Sequence, residues 1–372
     1  MTAWAPQVFA PYPEQPGLLF ARVAARSAAF DRTSAAGGEP VLVGSAVGHD
    51  RVQVALSARG ELLERLGNVM AGREAEAAAE TVGTREELHR RGVRTLEPEL
   101  RADARRLWVR GRTVRGAEVF VPAGSAFLQH RPPAGCEAPE AVGSTGVAAH
   151  PDLASAARHA AWELLERDLV RRSWYRIADR QPSLVPLAPT EPLADHLRVQ
   201  GLVATAFTVP APAGTACAVV CLHRPDGTGQ AFGAGCGPAD TLGALVEKAA
   251  YEAVMVRWSM GTQVARRAWD QWRGADLPTT AVQHALWTYH RQDSLRLWDV
   301  RPAAEDPPAT GGRTVRSDPL DVLAEHTGRE VVLVETTAAP AREAGVHVVR
   351  VLAPGTLPLP SGGGPGHPHP FG

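Results

Sequence analysis

Apolar residues along the chain follow a strand-like rhythm in some stretches and a helical one in others. "EPVLVGSAVG" and "AEVFVPAGSAFL" read as strands, the first ending in a glycine turn. In "DRVQVALSARGELLERLGNVMAG" the apolar positions Val52, Ala55, Leu62, Leu66 and Val69 recur at helical spacing. "GSTGVAAHPDLASAARHAAWELLERDLVRRSWYR" repeats that plan, a Gly-Ser turn before a long helix with Asp152 as N-cap. "GPADTLGALVEKAAYEAVMVRWSMGTQVARR", following "GAGCG", is a third unit of glycine turn and helix. "ATAFTVPAPAGTACAVVCLHRPDGTGQAFGAGC" predicts two or three strands, with Asp226-Gly227 as a hairpin turn. "DPLDVLAEHTGREVVLVETTAAPAREAGVHVVRVLAPG" predicts helix, strand, connector and strand. "GLLFARVAARSAAFD" fits either a short helix or two strands, and residues 82–108 read as mixed helix and loop. Strands and helices mix without strict βαβ alternation. The expectation is an α+β fold with helices packed on mixed or antiparallel sheet. We divide the chain into an N-terminal segment over 1–40, a main domain over 41–353 and a Pro/Gly/His-rich tail over 354–372.

Composition excludes some partners. The 39 Lys plus Arg balance 40 Asp plus Glu, which disfavours capture of nucleic acid or an acidic membrane by bulk charge. Lys248 is the only lysine, and the arginine, alanine and glycine richness is that of a high-GC coding sequence. Cys136, Cys217, Cys221 and Cys236 include no CxxC pair, so reduced core thiols are expected. The N-terminus lacks the form of a signal peptide, and no window reaches the roughly 18 apolar residues of a membrane span. These features predict a soluble, cytoplasmic protein.

The chemistry lies in a repeated word. "ELLER" occurs as Glu61–Arg65 and again as Glu163–Arg167. Each copy stands about 17 to 20 residues behind a glycine turn, and Glu252 stands likewise behind "GAGCG". Residues at i and i+3 share a helix face, so each ExxE presents two carboxylates side by side. On a buried face their repulsion costs several kcal/mol unless cations compensate. Two such helices facing each other could hold divalent cations, and oxygen-only ligands favour Mg2+ bridged to phosphate. Alternatively, each ExxE is a solvated face paired with arginine. There is no GxxxxGK[ST], HExxH or GxSxG, so a P-loop, a zincin and an α/β-hydrolase are disfavoured.

Taken together these segments resemble the YcaO family. Its SxxxExxER motif stands here as Ser57, Glu61, Glu64 and Arg65. "STGVAAH" followed by Glu163, Glu166, Arg167 and Asp168 is similar to its second segment. Gly233, Gly235, Ala244, Glu252 and Arg257 resemble its third, and "VVLVETT…VHVVRVLAPG" its closing strand pair. The resemblance covers roughly residues 40 to 372. It implies ATP and Mg2+ held without a P-loop, with Glu61, Glu64, Glu163, Glu166 and Glu252 as metal and nucleotide ligands. It also implies Ser57, Arg167 and Arg257 as phosphate or nucleotide contacts, with Arg65 paired to acids of the cluster. The implied reaction is phosphorylation of a backbone amide oxygen and attack on that carbon. The attacking Cys, Ser or Thr of a ribosomally made precursor peptide yields a thiazoline or oxazoline; relatives form thioamides or amidines. Three positions depart from the family pattern: Val47 for Lys, Thr145 for Asn and Met255 for Gln. A non-catalytic scaffold is therefore a further alternative.

In azoline-forming members the chain ends PxPxP, and here "HPHPFG" keeps Pro368, Pro370 and Gly372 in that pattern. The resemblance implies that the tail reaches the active site, with the Gly372 carboxylate as general base. It further implies a separate partner that binds the leader peptide, resembling ubiquitin-activating enzymes, and a homodimer. His367 and His369 are read as incidental rather than as metal ligands.

Overall fold

Three strand-then-helix units organise the computed structural model, which describes residues 4–31, 40–96, 103–137, 142–178, 180–273, 276–302, 318–357 and 368–371. β1 (Gln7–Phe9), β2 (Leu19–Arg26) and β3 (Val41–Gly48) form an antiparallel sheet in that order. The expected boundary between residues 40 and 41 thus falls inside one sheet. "GLLFARVAARSAAFD" resolves as the strand β2, whose buried and exposed residues alternate over its second half. Helix α1 (Arg51–Ala78) follows, capped by Asp50, whose carboxylate accepts from Gln53 N–H at 2.8 Å. Its buried stripe runs through Val54, Ala58, Leu62, Leu66 and Val69. Val52, expected on that stripe, is exposed, because Val54 takes the inward position a turn ahead of Ala58.

β4 (Val82–Gly83), α2 (Arg85–Arg90), β5 (Arg106–Thr113), β6 (Glu118–Pro122) and α3 (Ala123–Ala126) lead to β7 (Val147–His150) and helix α4 (Leu153–Trp174). β8 (Ser183–Leu184), α5 (Glu191–Val199), β9 (Val203–Val209), β10 (Thr215–His223) and β11 (Ala231–Pro238) supply a second sheet, ordered β11-β10-β9-β8. Helices α6 (Leu242–Met260), α7 (Gln263–Trp272), α8 (Ala281–His290), α9 (Ser294–Leu297) and α10 (Pro319–Thr327) follow. β12 (Val332–Glu335), α11 (Ala339–Glu343) and β13 (His347–Leu352) complete a third sheet, ordered β4-β5-β12-β13-β7 with β6 on β5. All ladders between these strands are antiparallel, which matches the expected α+β class.

The units close on one another. α1 packs on β2 and β3 and reaches β7 and β13; α4 packs on β7 and β13 and reaches β10 and β11; α6 packs on β10 and β11 and reaches β3. Each helix therefore lies between the sheet it leaves and the next one. Leu165 and Leu169 of α4 share a core with Phe207, Val219 and Phe232 on one side and Val349 and Val351 on the other. Leu245 and Val254 of α6 pack with Val220, Leu222 and Phe20.

"GSAVG" and "GAGCG" are not turns. Both lie within strands, β3 and β11, and their glycines serve close helix packing instead. A Cβ on Gly44 or Gly233 would stand 2.1 Å from the carbonyl oxygen of Ala58 or Ala249 respectively. "GSTG" does turn the chain, with Gly146 at φ +82°. Cys217, Cys221 and Cys236 are buried free thiols on β10 and β11, and Cys136 is free and half-buried. Among the described residues no helix is long and apolar enough to cross a membrane.

Candidate active site

β3, β7 and β11 are each the edge strand of their sheet, and a glutamate from the helix that follows meets each of them. Glu61 accepts from Ser45 N–H at 2.5 Å, Glu163 from Gly146 N–H at 3.0 Å and Glu252 from Ala234 N–H at 2.9 Å. A carboxylate that takes a backbone N–H has its charge partly satisfied and covers an otherwise open sheet edge. The spacing of glycine segment to glutamate is thus the length of chain needed to leave the strand and return along the helix.

Side chains then join the three units. Arg65 donates to Glu61 at 2.5 Å and to the Val43 carbonyl at 2.7 Å, so its expected pairing within the cluster holds. Arg167 lies between helices, 3.3 Å from Glu166 and 3.2 Å from Glu252. Glu166 accepts from Cys236 N–H at 3.1 Å and from Lys248 Nζ at 3.2 Å. Glu64 feels Glu163 and Glu61 as like charges, and Arg350 of β13 faces both Glu64 and Glu163. All five glutamates expected as ligands are therefore brought into one cluster.

The cluster divides electrostatically. Burial pushes Glu64 well above the usual carboxylate range, and Glu163 adds to the effect. Burial also raises Glu163, to about 7, against the opposing pull of Arg167 and the Gly146 N–H. Glu166 is pushed up by burial too, but Lys248 and Arg167 outweigh this and hold it below its ordinary value. Arg350 is lowered to about 10 by burial, with Glu163 and Glu64 acting in opposition. Lys248 and Arg167 hold Glu166 ionised, whereas burial disfavours the charged forms of Glu64 and Glu163, which a bound cation would restore.

The remaining expected site residues are placed differently. Ser57 is exposed on the stripe of α1 that carries Glu61 and Glu64, with its hydroxyl 3.4 Å from Gln53 Nε2. Arg167, expected to meet phosphate, is engaged with Glu166 and Glu252, although its buried Nε and Nη1 make no hydrogen bond among the described residues. Arg257 is not brought to the cluster: it donates to the Gly229 carbonyl and lies 5.8 Å from the Tyr289 ring. Five residues along a helix turn the side chain by about 140°, so Arg257 and Glu252 cannot share a face. Gly372 lies outside the described residues, but Pro368–Phe371 are buried beside the cluster, with the Phe371 ring 5.3 Å from the Arg167 guanidinium. Val47 and Met255 both pack against the apolar cluster that contains Phe20 and Val220, and Thr145 is buried.

Lys248 and Arg350 are parts of the site that sequence reasoning did not assign. Each had a signal: the sole lysine stands four residues before Glu252, and Arg350 interrupts the apolar strand "HVVRVL". His369, read as incidental, is fully buried, and its backbone N–H donates to His284 Nδ1 at 2.8 Å.

These residues fit a magnesium nucleotide. The donors are oxygens, burial disfavours charge on Glu64 and Glu163 until a further cation joins them, and the buried Nε of Arg167 makes no hydrogen bond among the described residues and is placed to meet an anion. Among the described residues no three ligating side chains could enclose a metal by themselves. Mg2+ ordinarily takes only one or two carboxylates and completes its shell with water and phosphate oxygens.

The structure resembles that of YcaO from Methanopyrus kandleri bound with AMPPCP and Mg2+, with TM-score 0.65 and 19% identity over 97% of this chain and 90% of that one. It also resembles a heterocyclase in complex with substrate and cofactor, with TM-score 0.67 and 18% identity over 96% of this chain but 51% of that one. A third likeness is to the E. coli microcin synthetase McbBCD complex, with TM-score 0.61 and 14% identity over 95% of this chain and 89% of that one. At these identities the likeness is one of fold. No curated protein matches the chain. Residues 45–357 match the family described as YcaO cyclodehydratase, ATP- and Mg2+-binding, and ATP and Mg2+ are accordingly the protein's cofactors. By this match the chain belongs to the YcaO family.

Proposed function

We propose that this protein is an ATP-dependent cyclodehydratase that converts Cys, Ser or Thr of a ribosomally synthesised precursor peptide into thiazoline or oxazoline. The observation that carries the proposal is the meeting of Glu61, Glu64, Glu163, Glu166 and Glu252 from three helices, with burial disfavouring charge on Glu64 and Glu163 until a cation joins them. When bound, Mg2+-ATP supplies a phosphoryl group to the peptide amide oxygen, which otherwise is a very poor leaving group. Glu64 and Glu163 hold the metal, while Glu61, Glu166 and Glu252 orient it and the nucleotide. Arg167 offers its spare donors to phosphate. Ser57, on the exposed part of the same α1 stripe, meets the nucleotide.

The buried tail end supports the azoline product over other outcomes. Pro368–Phe371 are buried, with Phe371 beside Arg167, which supports the reading in which the Gly372 carboxylate acts as general base on the substrate nucleophile. The precursor is captured by a separate leader-peptide-binding partner resembling ubiquitin-activating enzymes, and the enzyme works as a homodimer. A related structure of the microcin synthetase complex holds pro-MccB17, a precedent for peptide and partner proteins around this fold.

A second reading, a non-catalytic scaffold, draws on Val47 and Met255, which present apolar surface where the family pattern has polar residues. Incubation with candidate precursors, partner protein, ATP and Mg2+, followed by tandem mass spectrometry, tests both. Loss of one water per modified residue at Cys, Ser or Thr supports azoline formation. A crosslinked amidine or a thioamide replaces it with the other family chemistries. Absence of nucleotide binding by calorimetry, with peptide processing unchanged in Glu64→Gln, supports the scaffold.

A further inference from the structure

The Asp of "ELLERD" has no part in the carboxylate cluster. Asp168 is fully buried and faces the opposite way, toward α10 and the point where the chain leaves β13. Its Oδ1 accepts from Leu357 N–H at 2.7 Å, and its Oδ2 accepts from Arg172 Nε at 2.8 Å and meets His326 Nε2 at 2.6 Å. Arg172 reaches on to the Gly355 carbonyl at 2.7 Å. Residues 355–357, the root of the tail, are therefore fastened to α4 by two side chains one helical turn apart.

The far end of the tail rests on the same helix and is hydrogen-bonded to α8. Phe371 lies against Arg167, the residue next to Asp168, and packs 6.5 Å from Phe232. His369 N–H donates to His284 Nδ1 at 2.8 Å, and Phe371 N–H to His369 Nδ1 at 3.2 Å. One short stretch of α4 thus carries Glu166 in the cluster, Arg167 between the cluster and the tail tip, and Asp168 with Arg172 at the tail root.

From this we infer that Asp168 is a positioning residue for the C-terminal tail: it fixes where the tail leaves the fold so that its tip docks on Arg167. The inference rests on the proposed function only for what the docked tip does there. A mobile root multiplies the positions the tip can adopt, and loss of a fixed geometry lowers the effective concentration of any group the tip carries.

The test is Asp168→Asn in the full-length protein, read first by hydrogen exchange. The amides of Leu357, His369 and Phe371 all have partners in the structure and are the reporters. Their exchange should quicken by about tenfold or more, while Mg2+-ATP affinity by calorimetry stays within about twofold. Arg172→Met, which releases Gly355 but leaves Asp168 in place, should give the same pattern more weakly. If a substrate peptide is processed, turnover in Asp168→Asn should fall about tenfold, and deletion of residues 368–372 should add little further loss in that background. Unchanged exchange at His369 and Phe371 in both variants overturns the inference, as does a parallel loss of nucleotide affinity. Quickened exchange in a protein whose wild type processes no peptide leaves the clamp standing and removes the proposed activity instead.

Discussion

Glu252 accepts a hydrogen bond from the Ala234 N–H at 2.9 Å, across the free edge of β11. The same bond recurs between Glu61 and Ser45 and between Glu163 and Gly146. Glu61 and Glu252 therefore cover a strand edge and Glu163 the turn that enters β7, and all three present their carboxylates to a common centre. Because the helices lie between successive sheets, the three edges face inward together. This accounts for the two copies of "ELLER" on separate helices.

The glutamates differ in what their removal does. Glu64→Gln removes a carboxyl whose charged form burial and Glu163 already disfavour, so the ligand-free protein should keep its stability to within about 1 kcal/mol while Mg2+-ATP binding is lost. Glu166→Gln instead strands Arg167 and weakens the hold on Lys248 and the Cys236 N–H, which should cost about 2–3 kcal/mol. Denaturant unfolding without nucleotide, paired with calorimetry, checks both.

Gly233→Ala would place a Cβ 2.1 Å from the Ala249 carbonyl oxygen and force α6 away from β11. A loss of about 3 kcal/mol is expected, since backbone rather than a flexible side chain must yield. Gly44→Ala should behave alike against Ala58. Gly60→Ala, inside α1 with open space around it, should stabilise by about 0.5–1 kcal/mol. Urea midpoints of the three variants rank the effects.

His196 is buried against Tyr12 and Gln15, and burial, with help from Arg257, lowers it to about 4. The unfolded chain binds this proton near pH 6.5 while the folded one does not. Its stability contribution is therefore present above about pH 6.5 and lost as pH falls toward 4, on the order of 2–3 kcal/mol. His196→Gln keeps a side-chain amide for Gln15 but cannot titrate. Between pH 7 and pH 5 its unfolding free energy should fall less than that of the wild type.

Phe371→Ala removes the ring from Arg167 and leaves the carboxylates in place. Peptide turnover should drop about tenfold, while Mg2+-ATP affinity changes less than about twofold. A drop in nucleotide affinity of the same size would assign Phe371 to the nucleotide pocket instead.

Much of this was legible in the chain. The helical patterns located α1, α4 and α6, and the cap expected at Asp152 closes the first turn of α4 by a local hydrogen bond from the Ser155 N–H. The ExxE spacing put Glu61 with Glu64 and Glu163 with Glu166 on shared faces, and Leu62, Leu63, Leu164 and Leu165 between them are buried as their pattern indicates. The glycines of "GSAVG" and "GAGCG" were misread as turns, since a glycine required by an approaching helix looks the same in sequence as one required by a positive φ.

By itself, then, the sequence determined the three long helices, the faces on which the acids stand and the family, all of which depend on neighbours within a few turns or on ordered motifs. Tertiary structure alone decided which charges meet. Arg350 acts electrostatically on Glu64 and Glu163 from a strand far along the chain, Lys248 serves Glu166 on another helix, and Arg257 turns away from Glu252 although close to it in sequence. Coulomb interactions act through space, and only the closure of the three helices on one another makes those distances short.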